Sequence, residues 1–219
     1  MKQVDGIWFP DNEKHLCKMV LASQPKVDGK GTYQYQKLTA ALQQVKRKGL
    51  ALDVGMHIGL WSMHLVKQFR SVVGFEPVAE HIECLKLNMA GAKNWEVYNC
   101  ALGSKPGTVG LKCFDGSTGS TQIQDGAGGI SMRRLDDFTF NDPIDLIKID
   151  VENYEYFVLE GGEQIIRRHQ PVIILEQKGN GKNGKLTYDK DQYASLELLK
   201  SWGAKQKFEM NGDYCLSWK

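Results

Sequence analysis

The chain has 219 residues, with 28 Lys+Arg against 26 Asp+Glu and a formal net charge of +2. At 42% hydrophobic and 25% charged residues it reads as one ordinary globular chain, neither disordered nor held to nucleic acid by bulk charge. Its apolar runs fall far short of the ~20 residues that span a bilayer, and no apolar stretch follows Met1, so neither a membrane anchor nor a secretory leader is expected. Cys17, Cys84, Cys100, Cys113 and Cys215 are scattered and form no Cys-x-x-Cys pair. That pattern argues against a disulfide framework or a zinc site and predicts a reduced, cytoplasmic protein. Glycine, 23 residues, is plentiful and proline, 6 residues, is scarce, which suits an α/β chain with tight strand–helix turns.

Residues 1–48 are polar and aromatic-rich and read as a cap segment ahead of a main domain, residues 49–219. Within the cap, Leu38, Ala41, Leu42 and Val45 recur at helical spacing, predicting a helix from Tyr33 to Lys48 that Gly49 stops. Strand and helix then alternate, the pattern of a mainly parallel sheet. Strands are predicted at Leu50–Val54, Ser71–Phe75, Trp95–Asn99, Ile144–Val151 and Pro171–Glu176, with helices at Leu60–Phe69, Glu80–Met89, Tyr154–Arg168 and Gln192–Trp202. Short strand-like pieces occur at Thr108–Lys112 and Ile130–Leu135. The C-terminal segment reads as a hairpin turning at Asn211-Gly212. The Gly-rich stretch Asp115–Gly129 reads either as a solvated loop or as a lid over a site. Lys178–Lys185 follows the fifth strand, where α/β proteins bind ligands.

The segment Asp53-Val54-Gly55-Met56-His57-Ile58-Gly59 runs from strand through turn to helix. It is not the G-x-G-x-x-G dinucleotide fingerprint. Gly55 suits a tight turn, and Gly59 lets the helix start approach the strand and a ligand. An acid at the strand tip, Asp53, would repel a pyrophosphate but suits a ligand carrying an ammonium and a sulfonium. Glu76 lies 21 residues after Gly55, the offset at which an acid accepts ribose hydroxyls. Together these features predict S-adenosyl-L-methionine as cofactor, with S-adenosyl-L-homocysteine as product. Met56, His57 and Pro77 fall inside the same segments, and Asn99 and Ala101, after the third strand, are expected beside the adenine. His64 is expected on the surface.

The ordered set DVGMHIG (Asp53–Gly59), VGFEP (Val73–Pro77), NCALG (Asn99–Gly103), RRLDDF (Arg133–Phe138), DLIKIDVENYE (Asp145–Glu155), GGEQII (Gly161–Ile166) and QPVIILE (Gln170–Glu176) resembles the FkbM family of class I S-adenosylmethionine-dependent O-methyltransferases. The resemblance covers about residues 50–178. It implies an α/β, doubly wound, Rossmann-like fold whose seven-stranded sheet has the order 3-2-1-4-5-7-6, with an antiparallel strand from the C-terminal hairpin. It also implies methyl transfer to a hydroxyl. Where the family has Asp-Val-Glu-Gly-Ala-Glu, this chain has Asp150-Val151-Glu152-Asn153-Tyr154-Glu155, and Tyr154 is expected to reshape the acceptor pocket.

Lys148 and Asp150 share a face of the fourth strand. A Lys in a central parallel strand needs a partner, here expected to be Asp150, Glu152 or Glu176. The candidate catalytic set is therefore Lys148, Asp150, Glu152 and Glu176, with Glu152 by the acceptor hydroxyl, Asp150 also at the cofactor's methionine end, and Lys148 tuning them. A Mg²⁺ gathered by Asp150, Glu152 and Glu176 is the less favoured reading, and no metal site is assigned. The expected acceptor is a small-molecule or glycan hydroxyl, with Trp8, Tyr33 and Tyr35 as wall residues. The alternatives are an RNA ribose 2′-O-methyltransferase, which the low net charge disfavours, and a non-catalytic S-adenosylmethionine-binding module.

Overall fold

In the computed structural model, which describes residues 1–124, 126, 128–177, 188 and 190–218, the chain opens on a short antiparallel hairpin. Its strands are β1 (Lys2–Val4) and β2 (Ile7–Phe9), joined at Asp5-Gly6, both with positive φ. Helix α1 (His15–Ala22) follows, then α2 (Tyr35–Gln44). The sequence pattern predicts neither the hairpin nor α1, because three-residue strands and two turns of helix carry too little periodicity. Helix α2 is shorter than predicted: Val45 turns extended, so Lys46–Lys48 lie beyond the helix. Arg47 pairs instead with Asp145 at 3.1 Å.

The alternating region builds β3 (Leu50–Val54), α3 (Ser62–Leu65), β4 (Ser71–Phe75), α4 (Ala79–Asn88) and β5 (Trp95–Tyr98). It continues through β6 (Ala101–Leu102), β7 (Gly107–Lys112), β8 (Gln122–Gln124), β9 (Ile130–Arg133) and β10 (Ile144–Ile149). The last elements are α5 (Glu155–Glu160), α6 (Glu163–His169), β11 (Val172–Glu176), α7 (Ala194–Ser201), β12 (Lys205–Met210) and β13 (Asp213–Ser217). The central sheet has the order β5-β4-β3-β10-β11-β13-β12. Neighbours from β5 to β11 pair parallel, and β13 runs antiparallel to both β11 and β12. The hairpin turns at Asn211 (φ 51) and Gly212 (φ 83), the doubly left-handed turn that Asn-Gly favours. A second sheet, β6-β9-β7-β8, forms from the strand-like pieces after β5.

Both faces of the central sheet are buried. The hairpin, α1, α2 and α4 contribute Phe9, Leu16, Leu38 and Leu85 to one core, against Ala51 of β3 and Leu146 of β10. Helices α5–α7 contribute Val158, Ile166 and Leu199 to the other, against Leu52 and Ile147. The helix predicted over Tyr154–Arg168 is broken into α5 and α6 at Gly161-Gly162, where Gly161 packs directly on the backbone of Gly103. The predicted helix after the first strand shrinks to α3 within a run of turns. The Gly-rich stretch is not structureless, since it holds a 3-10 turn at Thr118–Ser120 and β8. Of that stretch Asp125 and Ala127, and of Lys178–Lys185 every residue, lie outside the described residues. All five cysteines are free thiols. No helix among the described residues is long and apolar enough to cross a membrane.

Candidate active site

A cavity of about 320 Å³ opens at the C-terminal ends of β3, β4, β10 and β11. Its size lies within the ~300–1,000 Å³ of small-molecule sites, and its position is where open α/β sheets bind ligands. One half is built from the turn after β3. Gly55 has φ 77, and a Cβ there would collide with the carbonyl oxygen of Asp150, so glycine alone lets β3 turn against β10. The Gly55 and Met56 amides donate to the Phe75 carbonyl at 3.0 and 3.1 Å. His57 follows with φ 51, and its backbone N–H donates to Glu76 Oε2 at 2.8 Å.

Glu76 is buried and lines the cavity. Its Oε1 accepts the Val78 amide at 3.0 Å and lies 3.0 Å from His81 Nδ1. Met56, His57, Pro77 and Ala101 line the same half, with Cys100 and Leu102 adding an apolar wall beside Ala101. Burial, reinforced by His81 and Lys148, holds the His57 imidazole well below its usual pKa and hence neutral.

Three predicted cofactor residues do not line the cavity. Asp53 has no exposed surface; it accepts from Ser62 Oγ at 2.6 Å and pairs with Lys148 at 3.2 Å. Its charge balances a lysine under the floor. Gly59 has φ 87, and a Cβ there would press on Leu85 of α4, so its small size serves helix packing. Asn99 is exposed and donates to the Glu76 and Pro77 carbonyls at 2.9 and 3.0 Å, clamping the chain behind the site.

The other half belongs to β10 and β11. Lys148 Nζ donates to the Gly55 carbonyl at 2.8 Å and lies 3.2 Å from Asp53 Oδ1 and 3.7 Å from Asp150 Oδ2. Of the predicted partners Asp150 is one, but the nearer is Asp53, directly opposite on β3. Burial pulls the Lys148 pKa down, yet the Asp53 and Asp150 carboxylates outweigh it and leave it raised, so the side chain stays an ammonium. Asp150, Glu152 and Glu176 all line the cavity, and one carboxylate oxygen of each lies within 4.8 Å of the others. Such a trio can share protons or a cation.

The bend that presents Glu152 is left-handed at two residues, Glu152 (φ 54) and Asn153 (φ 78). Asn tolerates this conformation better than most residues, which suits Asn153 to the position where the resemblance implies a glycine. Glu155 Oε1 fastens the bend by accepting the Val151 amide at 3.1 Å. Tyr154 turns away from the cavity and packs on Phe157 and Tyr188, with ring centroids 4.7 and 5.0 Å apart, so it does not shape the pocket as expected.

The roof comes from the N-terminal segment and the Gly-rich stretch. Tyr33, His15 and Leu16 line the cavity from one, Ser117–Thr121 and Ile123 from the other. Trp8 and Tyr35 do not line it: Trp8 exchanges backbone hydrogen bonds with the Asn88 side chain, and Tyr35 packs edge-on to His64. His64 is buried rather than on the surface, and burial together with Lys67 brings its pKa down to about 4. Sequence reasoning missed Glu13, His81 and Thr118. Glu13 and Thr118 are separated by 105 residues, and no local pattern links them. His169, far from the cavity, accepts the Ile144 amide at 3.2 Å.

The Methyltransferase FkbM domain family matches residues 53–205. The chain belongs to this family. No curated protein matches it significantly. Among solved structures it resembles the methyltransferase FkbM from Methylobacillus flagellatus KT, at 20% identity and a TM-score of 0.47 over 77% of this chain. The chain spans only 43% of the length of that structure. It also resembles SMU.1697c from Streptococcus mutans, solved in complex with SAH (12% identity, TM-score 0.53, 84% of this chain and 96% of that one). A third is an rRNA methylase from Streptococcus thermophilus (13% identity, TM-score 0.50, 83% of this chain and 92% of that one). At such identities the last two likenesses speak for the fold alone, a Rossmann-like α/β methyltransferase fold.

The family's cofactor is S-adenosyl-L-methionine, and the residues present fit it. The glycine turn leaves backbone rather than side chain at the end of β3. Glu76 is a buried carboxylate, pre-positioned by backbone amides, that can accept ribose hydroxyls. The Cys100–Leu102 wall offers an apolar surface to a purine.

Proposed function

We propose that this chain transfers the methyl group of S-adenosyl-L-methionine to a hydroxyl oxygen of a small molecule or glycan. The observation that carries the reading is the gathering of Asp150, Glu152 and Glu176 within 4.8 Å of one another at the cavity end beside Tyr33. The cofactor supplies an activated methyl on a sulfonium. The protein's work is then to align a hydroxyl with it, worth up to ~7–11 kcal/mol from positioning, and to take the hydroxyl proton. Glu152, beyond the end of β10 and inside the cavity, takes that proton. Asp150 serves the methionine end of the cofactor site, and Lys148 tunes it from 3.7 Å away. Glu176, at the end of β11, shares the proton or orients the acceptor. Residues 1–48 act as the cap on the acceptor side, through Tyr33.

An RNA acceptor is the weaker reading. Phosphodiester binding relies on cations that neutralise phosphates, and the described acceptor end is acid-lined. The same trio supports a second reading, in which a divalent cation binds there and orients the acceptor hydroxyl.

The test is Glu152→Gln. Folding and S-adenosylhomocysteine affinity should stay close to those of the parent chain, while methyl transfer from labelled cofactor falls by roughly 10²–10⁴-fold. Normal turnover would remove Glu152 from the mechanism. Activity abolished by a chelator and restored by Mg²⁺ would select the cation-assisted reading.

A further inference from the structure

Glu13 stands forty residues before the family match begins, and its side chain has no exposed surface. Its Oε1 accepts the Leu16 amide at 2.7 Å, and its Oε2 accepts both the amide and the hydroxyl of Thr118, each at 2.6 Å. With both oxygens facing N–H donors, Glu13 is an acceptor, and the single hydroxyl proton of Thr118 points to it. The Thr118 oxygen is then left to accept. Among the described residues its other neighbour is His57 Nε2, 3.0 Å away. A neutral imidazole that donates through Nε2 carries its lone pair on Nδ1. His57 lines the cavity in a left-handed conformation, and its own amide donates to Glu76. A continuous chain of polar contacts therefore runs from the N-terminal segment through the roof to the carboxylate of the cofactor half.

We infer that Glu13 is a positioning residue for the cofactor. Acting through Thr118, it fixes His57 as the Nε2–H tautomer, so that Nδ1 accepts an N–H or O–H of the nucleoside part of S-adenosylmethionine. A hydroxyl between two fixed groups can orient only one way, which makes the tautomer a consequence of Glu13 rather than of solvent. The same contacts seat the 3-10 turn at Thr118–Ser120 on the cavity, so the roof and the tautomer depend on one carboxylate. The inference rests on the cofactor alone and holds for any acceptor.

The experiment needs no turnover. Thr118→Val removes the hydroxyl and keeps the side-chain shape; Thr118→Ser keeps the hydroxyl. In calorimetry, Thr118→Val and Glu13→Ala should each weaken S-adenosylhomocysteine binding by about tenfold or more, and Thr118→Ser should bind like the parent chain. The double variant should lose little beyond either single one, because both break the same link. NMR of isotope-labelled histidine in the ligand-free protein should report the Nε2–H tautomer for His57, giving way to a mixture in Thr118→Val at unchanged thermal stability. Two results would overturn the inference: an Nδ1–H tautomer in the parent chain, or parent-like S-adenosylhomocysteine affinity in a folded Thr118→Val protein.

Discussion

The floor and the roof of the cavity are built by different means. The floor is the end of the parallel sheet, where the turn after β3, Glu76 after β4 and Asp150 after β10 are brought together by strand register. The roof is made of segments outside that sheet, Tyr33 from the N-terminal part and Thr118 from the Gly-rich stretch, joined by the buried Glu13. In the floor, the groups that shape the site also hold the fold. In the roof, side chains are fastened to one another and to a few floor residues. The comparison predicts that floor substitutions register first in stability, whereas roof substitutions register in ligand constants.

The largest expected effect is in the floor. Lys148 is buried and faces Asp53 across the β10–β3 pairing. Lys148→Met would leave a buried carboxylate without its partner, which typically costs about 3–5 kcal/mol. Denaturant unfolding should show the loss without any ligand. A Lys148→Met protein as stable as the parent chain would break the comparison, because the floor would then not depend on its own charges.

A second floor effect depends on pH. Glu155 is buried, and burial pushes its carboxyl up to about 8 despite hydrogen bonds from backbone amides. Its folded value lies above the unfolded one, so its contribution to stability is full below about pH 4.3 and is lost as pH rises to about 8. The integrated loss is on the order of 5 kcal/mol. Glu155→Gln, which keeps an oxygen to accept the Val151 amide, should flatten this part of the stability–pH curve and be the more stable protein above pH 8. Parallel curves for the two proteins between pH 5 and 9 would mean that Glu155 does not titrate there.

How much of this was legible in the sequence follows the same division. The β/α alternation, the turn at Gly55, Glu76 and the Asn211-Gly212 hairpin each lie within a short window, where periodicity and turn chemistry operate. The acids Asp150, Glu152 and Glu176 were readable as strand-end residues. Asp150 was readable as a partner of Lys148, but the nearer partner, Asp53, was not, since it depends on the alignment of β10 with β3, which sequence spacing does not encode. For the same reason Asp53 and Asn99 were read as facing the ligand when they hold the chain behind it. The roof was the least legible part. Glu13 has no motif around it, and only the folded chain brings it to Thr118.

A third prediction tests the boundary between floor and cofactor. Glu76 accepts the His57 and Val78 amides and contacts His81, so its truncation leaves donors unpaired around the cavity. Glu76→Ala should weaken S-adenosylhomocysteine binding by about 1–3 kcal/mol. Calorimetry with unchanged affinity would take the ribose role away from Glu76.

The smallest effect belongs to the roof. Tyr33 lines the cavity, and its hydroxyl accepts from Gln34 Nε2 at 3.2 Å. Burial, with Asp150, Glu176 and Glu152 adding to it, raises its pKa well above the usual tyrosine value, so the hydroxyl keeps its proton through the neutral range. Tyr33→Phe removes that proton and one neutral hydrogen bond while keeping the ring, a change worth about 0.5–1.5 kcal/mol at most. If Tyr33 walls the acceptor half, the thermal midpoint and S-adenosylhomocysteine affinity should stay near those of the parent chain, while the acceptor KM rises severalfold with kcat little changed. That split is the signature of lost ground-state binding. An equal loss of S-adenosylhomocysteine affinity would put Tyr33 in the cofactor half and shrink the acceptor wall to the strand-end acids. A fall in kcat at constant KM would instead put its hydroxyl among the groups that act only in the transition state, and the roof would then share the chemistry as well as the binding.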